Sequence, residues 1–367
     1  MDPTRKPHTS SPLIDYSLTL WKLHPSFRYI PRVLLYYVKF GFFEPFRLIE
    51  KFLYWKKLES FRLSQDPVFI LGYYRSGTTH LQEVLLEDPR FAFLNFYQCY
   101  FANGHLVTER IFKKLFQKIM TAVGFKHPAH GVPFLFDMPG EEDVSMVASG
   151  FRHACSWGQL FPKSFKSLFN QFVYFEGVKE EDRELFEHEY LMLLKRVAWA
   201  RQNRPLLLKS PPMTARIRLL KRLFPKAKFI YIYRSPYYVY KSNQKLWKTF
   251  HEQCLQSSSV EEANENILWS FDKCLDFYER DKNLLDENQL IEVQYESFMK
   301  DPIGHLEKIY TKLGMKDFQS LKPRFENFLK LKHGTNVDRY RFSEEDLKTV
   351  ELRLKRWIEL YGYSRPT

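Results

Sequence analysis

The stretch "VFILGYYRSGTTHLQEVLLEDP", from Val68 to Pro89, admits few folds. Four apolar residues run straight into Gly72, four more residues lead to Gly77, and Thr78 and Thr79 follow. A short apolar run ended by glycine reads as a buried strand. Beyond the loop, Leu81, Val84 and Leu85 share one helical face, and Asp88-Pro89 stops the helix. In a strand–turn–helix unit the loop amides and the helix N-terminus converge on one point, which suits an anion. The glycine spacing is that of a phosphate-binding loop, yet the usual lysine position holds Thr78.

Further runs extend the pattern into an α/β sheet. "PLLLK" (205–209), "KFIYIYR" (228–234) and "LIEVQY" (290–295) read as strands. A helix is expected over "TARIRLLKRLF" (214–224), and another after Ser235 as N-cap and Pro236 as first helical residue. Asp301-Pro302 opens a helix with Leu306, Ile309, Tyr310 and Leu313 on one side, closed by Gly314. A last helix starts at Ser343, with Asp346 three residues on, and ends near Gly362. The expected fold is α/β: a phosphate-loop-type parallel sheet flanked by helices, with a largely helical insertion over about 95–200. Residues 1–60 form an N-terminal amphipathic helical segment, and 61–367 the α/β domain.

Open parallel sheets bind ligands at the carboxyl ends of their strands. The first run leads into a loop carrying Arg75, the second ends in Lys209 and the third in Arg234. If the strands are parallel neighbours, three cations meet at one edge. A nucleotide triphosphatase would place a Mg²⁺-binding Asp at such a strand end, and none of the three runs does. The pattern predicts a pocket for a multiply charged anion, with no metal. A net charge of +13 agrees with an anionic partner. Because Lys and Arg are spread along the chain rather than gathered in a stripe, nucleic acid is not expected as that partner.

These residues resemble the sulfotransferases that use 3′-phosphoadenosine 5′-phosphosulfate (PAPS), with bacterial-type and carbohydrate-type members the nearest in pattern. "YRSGTTHLQEVLLEDPRF" is similar to the family's 5′-phosphosulfate loop, and "FIYIYRSPYYVYKS" to its 3′-phosphate motif, an Arg ending a strand with a Ser eight residues later. "LLLKSPPMTARIRLLKRLFPKAKF" resembles the segment linking the two motifs, and "IEVQYESFMKDP" the stretch after them. The likeness spans roughly 67–89 and 205–362. It implies PAPS as co-substrate, held by Arg75, Ser76, Gly77, Thr78 and Thr79 at the phosphosulfate and by Arg234 and Ser242 at the 3′-phosphate. A 3′-phosphate site would favour this donor over ATP. Arg75 and Lys209 are then expected to neutralise the transferring group during in-line attack.

The general base is where the chain departs from the family. The family's Lys-Thr/Ser-His motif would place a histidine at position 211, which is Pro211; the variant Lys-Ser-Pro-x-His would place it at 213, which is Met213. A Trp-Glu pair usual after the first helix is not evident near "NFYQCYF". "DMPGEEDVSM" (137–146) resembles the family's acidic stretch, and Glu141 is the expected base, with Glu142 and Asp143 as alternates. A carboxylate can serve if burial raises its pKa toward neutrality. The same cluster can equally be the solvated acidic start of a helix. His80, His105 and His153 are lesser candidates.

Two other readings fit the local signals: a P-loop kinase or NTPase, which would need the missing lysine and aspartate, and a catalytically inactive anion-binding scaffold. The acceptor is expected to be a hydroxyl or amine of a small molecule, lipid or carbohydrate. The segment "YIPRVLLYYVKFGFFEPFRLIEKFLYW" (29–55) carries too many charges to span a bilayer. It reads as one or two amphipathic helices broken near Gly41 and Pro45, packed on the domain, covering an apolar substrate, or touching a membrane surface. No continuous apolar run marks a secretory signal near the N-terminus, so a cytoplasmic, membrane-associated enzyme is expected. The four cysteines form no paired motif and are expected to be reduced core thiols.

Overall fold

A computed structural model describes residues 11–126, 133–332 and 340–366. The four apolar runs form strands β1 (Val68–Leu71), β2 (Leu207–Lys209), β3 (Lys228–Tyr233) and β4 (Leu290–Gln294). They make one parallel sheet in the order β2-β1-β3-β4, with Ile70 paired to Lys209 and Leu71 to Tyr231. The second and third strands therefore lie on opposite sides of the first. That reversal creates the crevice at the strand ends where such sheets take ligands.

Every residue of β1 is buried, as expected of a parallel strand covered on both faces. One face packs Val68, Ile70, Ile230 and Ile232 against Leu81, Val84 and Leu85 of the helix Thr78–Leu85 and against Leu306 and Ile309 of the helix Pro302–Lys312. On this face lie the apolar positions whose spacing announced both helices. Their ends are also as read. Asp301 caps Pro302–Lys312 by accepting from the Gly304 N–H, and Gly314 follows it in the left-handed region. Ser343 and Asp346 form a capping box at Glu344–Leu360.

The turn at Asp88 ties two of these elements together. Its buried carboxylate accepts from the Arg90 backbone N–H and guanidinium and from the Tyr310 hydroxyl at 2.8 Å. Burial pushes this carboxyl up, but the bonds from Arg90 and Tyr310 outweigh it and hold its pKa below the ordinary value. A depressed carboxylate contributes stability above its unfolded pKa, and that contribution disappears as the pH falls through the folded value. Asp88→Asn should therefore lower stability at neutral pH by about 2–3 kcal/mol, with the gap to wild type closing in acid. Urea unfolding at neutral and acid pH measures this.

By contacts the chain divides into two units: residues 64–92, 204–248 and 263–367, which hold the sheet, and residues 1–63, 93–203 and 249–262, which are largely helical. In the helical unit, residues 30–60 form one uninterrupted helix, Ile30–Ser60, and not two broken near Gly41 and Pro45. Proline removes the bond to the carbonyl four residues back, which here is that of Gly41, so both breakers fall on a single turn. Gly41 and Pro45 lie on the exposed side, while Phe40 and Phe43 on the opposite side are buried. Packing of that inner side carries the helix through the lost bond.

The helix expected over 214–224 also begins later. Pro211–Ala215 is a 3₁₀ turn, and the α-helix runs from Ile217 to Leu223. Thr214 is held in that turn because its hydroxyl accepts from the Gly72 N–H at 2.8 Å. Cys99, Cys155, Cys254 and Cys274 are all buried and unbridged, and burial raises the Cys274 thiol to about 12.

Candidate active site

The carboxyl ends of β1, β2 and β3 deliver Arg75, Lys209 and Arg234 to one edge of the sheet. Both glycines that shape the loop are obligatory. Gly72 has φ 151° and lies so close to β3 that a Cβ would stand 2.5 Å from the Ile232 carbonyl oxygen and 2.8 Å from Thr78 Cγ2. At Gly77, φ is 97° and a Cβ would enter the Tyr295 ring, 2.7 Å from Cε2. Gly77 is the N-cap of the helix Thr78–Leu85, whose first amides have no carbonyl partner inside the helix and open toward the loop. Ser76 and Thr78 are buried, and Thr79 is half-buried.

Lys209 is 4 % exposed, an unusual burial for a lysine that marks it as part of an enclosed polar end of the sheet. On the far side of the loop, β3 runs into the helix Pro236–Gln253, with the Ser235 carbonyl accepting from the Val239 N–H. Because this helix starts at Pro236, Ser242 falls on its buried side. There Arg75 Nε donates to Ser242 Oγ at 2.7 Å, and the Tyr340 hydroxyl donates to the same oxygen at 2.8 Å. Arg234 stands with its guanidinium 4.5 Å from the Tyr295 ring centre and 5.4 Å from that of Tyr238. It donates to the Arg75 carbonyl at 3.4 Å, and Asn243 Nδ2 donates to the Tyr74 carbonyl at 3.0 Å. Two motifs that lie 167 positions apart in sequence are thus joined side chain to side chain.

A sulfotransferase family model matches residues 67–320, from the start of the sheet to beyond its last strand. The chain belongs to the sulfotransferase family. It is a transferase enzyme of the sulfuryl group. It is 26% identical over 322 residues to the omega-hydroxy-beta-dihydromenaquinone-9 sulfotransferase Stf3 of Mycobacterium bovis, covering 87% of this chain and 81% of the relative. The sulfotransferase of M. tuberculosis with that same name matches equally. Among solved structures, sulfotransferase STF1 from M. tuberculosis superposes with a TM-score of 0.67 at 16% identity, over 95% of this chain and 90% of that one. STF9 from M. avium gives 0.66 at 17%, over 87% and 82%. These two share the fold.

The acidic candidate bases of this sulfotransferase, with His105 and His153, belong to the helical unit, and His80 to the sheet unit. Glu141 is the half-buried N-cap of the short helix Glu142–Ala148, and its carbonyl accepts from the Cys99 thiol. Glu142 and Asp143 are buried at 0 and 1 %, and Asp143 Oδ1 accepts from the Cys155 thiol at 3.0 Å. The cluster is therefore not the solvated acidic helix start that its composition allows. The histidines have structural surroundings. His105 is fully buried with Nδ1 3.2 Å from the Ala102 carbonyl, His153 receives the Arg152 guanidinium at 2.7 Å, and His80 packs against Phe298.

Tyr295, Tyr340, Tyr238 and Thr214 escaped the sequence reading. Tyr295 begins a short helix, Tyr295–Lys300, directly after β4, and Glu296 beside it accepts from the Ser235 N–H at 3.1 Å. "VQYESF" does carry a hint of this: an aromatic directly after a strand, at an edge where the other three strands lead to Arg75, Lys209 and Arg234. Tyr340 has no such local signal.

Proposed function

We propose that the enzyme takes its sulfuryl group from PAPS and transfers it to a hydroxyl of a lipid-soluble acceptor. The observation that carries this is the Arg75–Ser242–Tyr340 cluster with Arg234 beside it. A nucleotide with phosphate at both ends of its ribose needs two anion sites within one nucleotide's length, and the two motifs meet at that scale. Arg234, Ser242 and Tyr340 form the 3′-phosphate site. Arg75 contributes its backbone to the loop and its guanidinium to Ser242, so it serves both ends of the donor. The amides of Ser76 to Thr79 hold the phosphosulfate by charge-assisted hydrogen bonds.

Sulfuryl transfer is in-line and loose, so catalysis rests on positioning and on neutralising the leaving oxygen. Lys209, buried at the end of β2, is the cation for that oxygen. Glu141 takes the acceptor proton, with Glu142 and Asp143 as alternates; no histidine stands where the family's base would be. The relative named for a menaquinone derivative supports this acceptor class. Contact of residues 29–55 with a bilayer belongs to the same reading, since an enzyme working on a lipid hydroxyl meets its acceptor at the interface.

Thermal unfolding with 3′-phosphoadenosine 5′-phosphate, compared with 5′-AMP and ATP–Mg²⁺, tests the donor. Ligand at about a hundred times its Kd should stabilise by roughly 2.7 kcal/mol. The shift is expected only with the 3′-phosphorylated nucleotide. A shift with ATP–Mg²⁺ alone would overturn the reading in favour of a kinase or NTPase, and no shift with any of the three would favour an inactive scaffold.

A further inference from the structure

The helix Ile30–Ser60 is apolar on both sides. Val33, Phe40, Phe43 and Leu58 are buried in the helical unit. On the outward side Leu35, Val38 and Phe52 are 67, 69 and 88 % exposed, and the apolar row continues at three- and four-residue intervals from Ile30 to Leu53. At 1.5 Å per residue that row is about 35 Å long. A monomer in water rarely leaves so large an apolar surface uncovered. Just ahead of the row, Trp21 and Phe27 stand 78 and 90 % exposed.

The charges on this helix are sorted by side. Its carboxylates within the row turn inward and are engaged: Glu44 accepts two bonds from Arg47, at 2.8 and 2.7 Å, and Glu50 accepts from the Leu106 N–H and pairs with Arg196. The exposed charges bracketing the row are Arg28 before it and Lys56, Lys57 and Glu59 after it, positive on balance. The neighbouring helix His105–Ala122 repeats the arrangement. Phe112 lies 5.9 Å from Phe42, where the two helices meet. Its exposed side alternates Arg110 and Ile111, Lys114 and Leu115, Lys118 and Ile119, while Glu109 is turned toward Asn95 and Gln98.

We infer that the exposed sides of the helices Ile30–Ser60 and His105–Ala122 are a docking surface for an anionic lipid bilayer. No described helix is long and apolar enough to cross a membrane, so the chain lies on it, apolar side chains in the acyl boundary and cations among the headgroups. Charge favours lipid over a second copy of the chain: around the two helices the exposed Arg28, Lys56, Lys57, Arg110, Lys114 and Lys118 outnumber the exposed Glu59 and Asp137, so a self-complementary interface would bring mainly like charges together, whereas headgroups neutralise them. The inference extends the lipid-acceptor reading, but its test needs neither donor nor acceptor.

Full-length chain is sedimented with vesicles of phosphatidylcholine alone and of phosphatidylcholine mixed with phosphatidylglycerol. Binding to the mixed vesicles is expected to be more than about tenfold tighter and to weaken with salt. The double change Leu35→Glu, Phe52→Glu should cost over about tenfold in vesicle binding while leaving the unfolding temperature unchanged, because both side chains are exposed. Lys114→Glu with Lys118→Glu should remove the preference for phosphatidylglycerol. No vesicle binding, or equal binding by the Leu35→Glu, Phe52→Glu chain, would overturn the inference. So would a dimer in solution that this change dissociates, which would identify a second copy as the occupant. A chain that shifts with the 3′-phosphorylated nucleotide but ignores vesicles loses this inference alone, and the reverse result loses only the donor reading.

Discussion

Arg234→Ala should abolish stabilisation by 3′-phosphoadenosine 5′-phosphate while leaving the apo protein folded. The guanidinium is held between Tyr295 and Tyr238 and makes one long bond, to the Arg75 carbonyl, so its removal breaks little of the fold. In the proposed complex it makes charge-assisted bonds to a phosphate. Losing these costs about 2–4 kcal/mol, a roughly 30- to 1,000-fold loss of affinity. Arg234→Lys should recover only part of it, because an ammonium cannot reproduce the planar fork or its stacking between two rings. Glu141→Gln is the contrasting change: nucleotide binding unaltered, sulfuryl transfer lost. Calorimetric titration of the three variants, with an activity assay on Glu141→Gln, separates the roles. Arg234→Ala protein that binds the nucleotide like wild type would sink the assignment.

Gly77→Ala should damage both stability and donor binding, and for separable reasons. An alanine at φ 97° carries backbone strain of about 1–3 kcal/mol wherever it sits. Here its Cβ also meets the Tyr295 ring, which must move. That ring is what Arg234 stacks on, so the steric change reaches the cation through one intermediate. Urea unfolding should show a loss of roughly 2–4 kcal/mol, and nucleotide affinity should fall at least tenfold in the protein that remains folded. Adding Tyr295→Ala removes the clash but not the strain. The double variant should regain part of the stability without regaining the affinity, since Arg234 has then lost its platform. Full recovery of affinity would show that Tyr295 does not position Arg234.

Either result bears on a sulfotransferase that carries Pro211 and Met213, not histidines, after Lys209. The structure gives the acidic stretch 141–143 a character its composition does not show: two of its three carboxylates are buried.

What the amino-acid order determined by itself is local. The four strands could be read because each is a short apolar run with punctuation at its ends. The caps at Asp301 and Ser343 were legible because a capping side chain bonds a backbone N–H three residues away. The glycine loop was legible because φ above zero and a close strand exclude every other residue at Gly77 and Gly72. The approximate edge of the site followed from parallel topology, which sends Arg75, Lys209 and Arg234 the same way. Tertiary structure alone decided the rest. That Arg75 reaches Ser242, that Tyr340 shares the same oxygen and that Tyr295 lies under Arg234 are contacts between residues 61 to 167 positions apart. No propensity or period encodes such a pairing; it exists only once the order β2-β1-β3-β4 is assembled. The helix Ile30–Ser60 is the converse case. Glycine and proline at Gly41 and Pro45 predict a break, but the cost of one missing hydrogen bond is smaller than what burying its inner face contributes, and packing won.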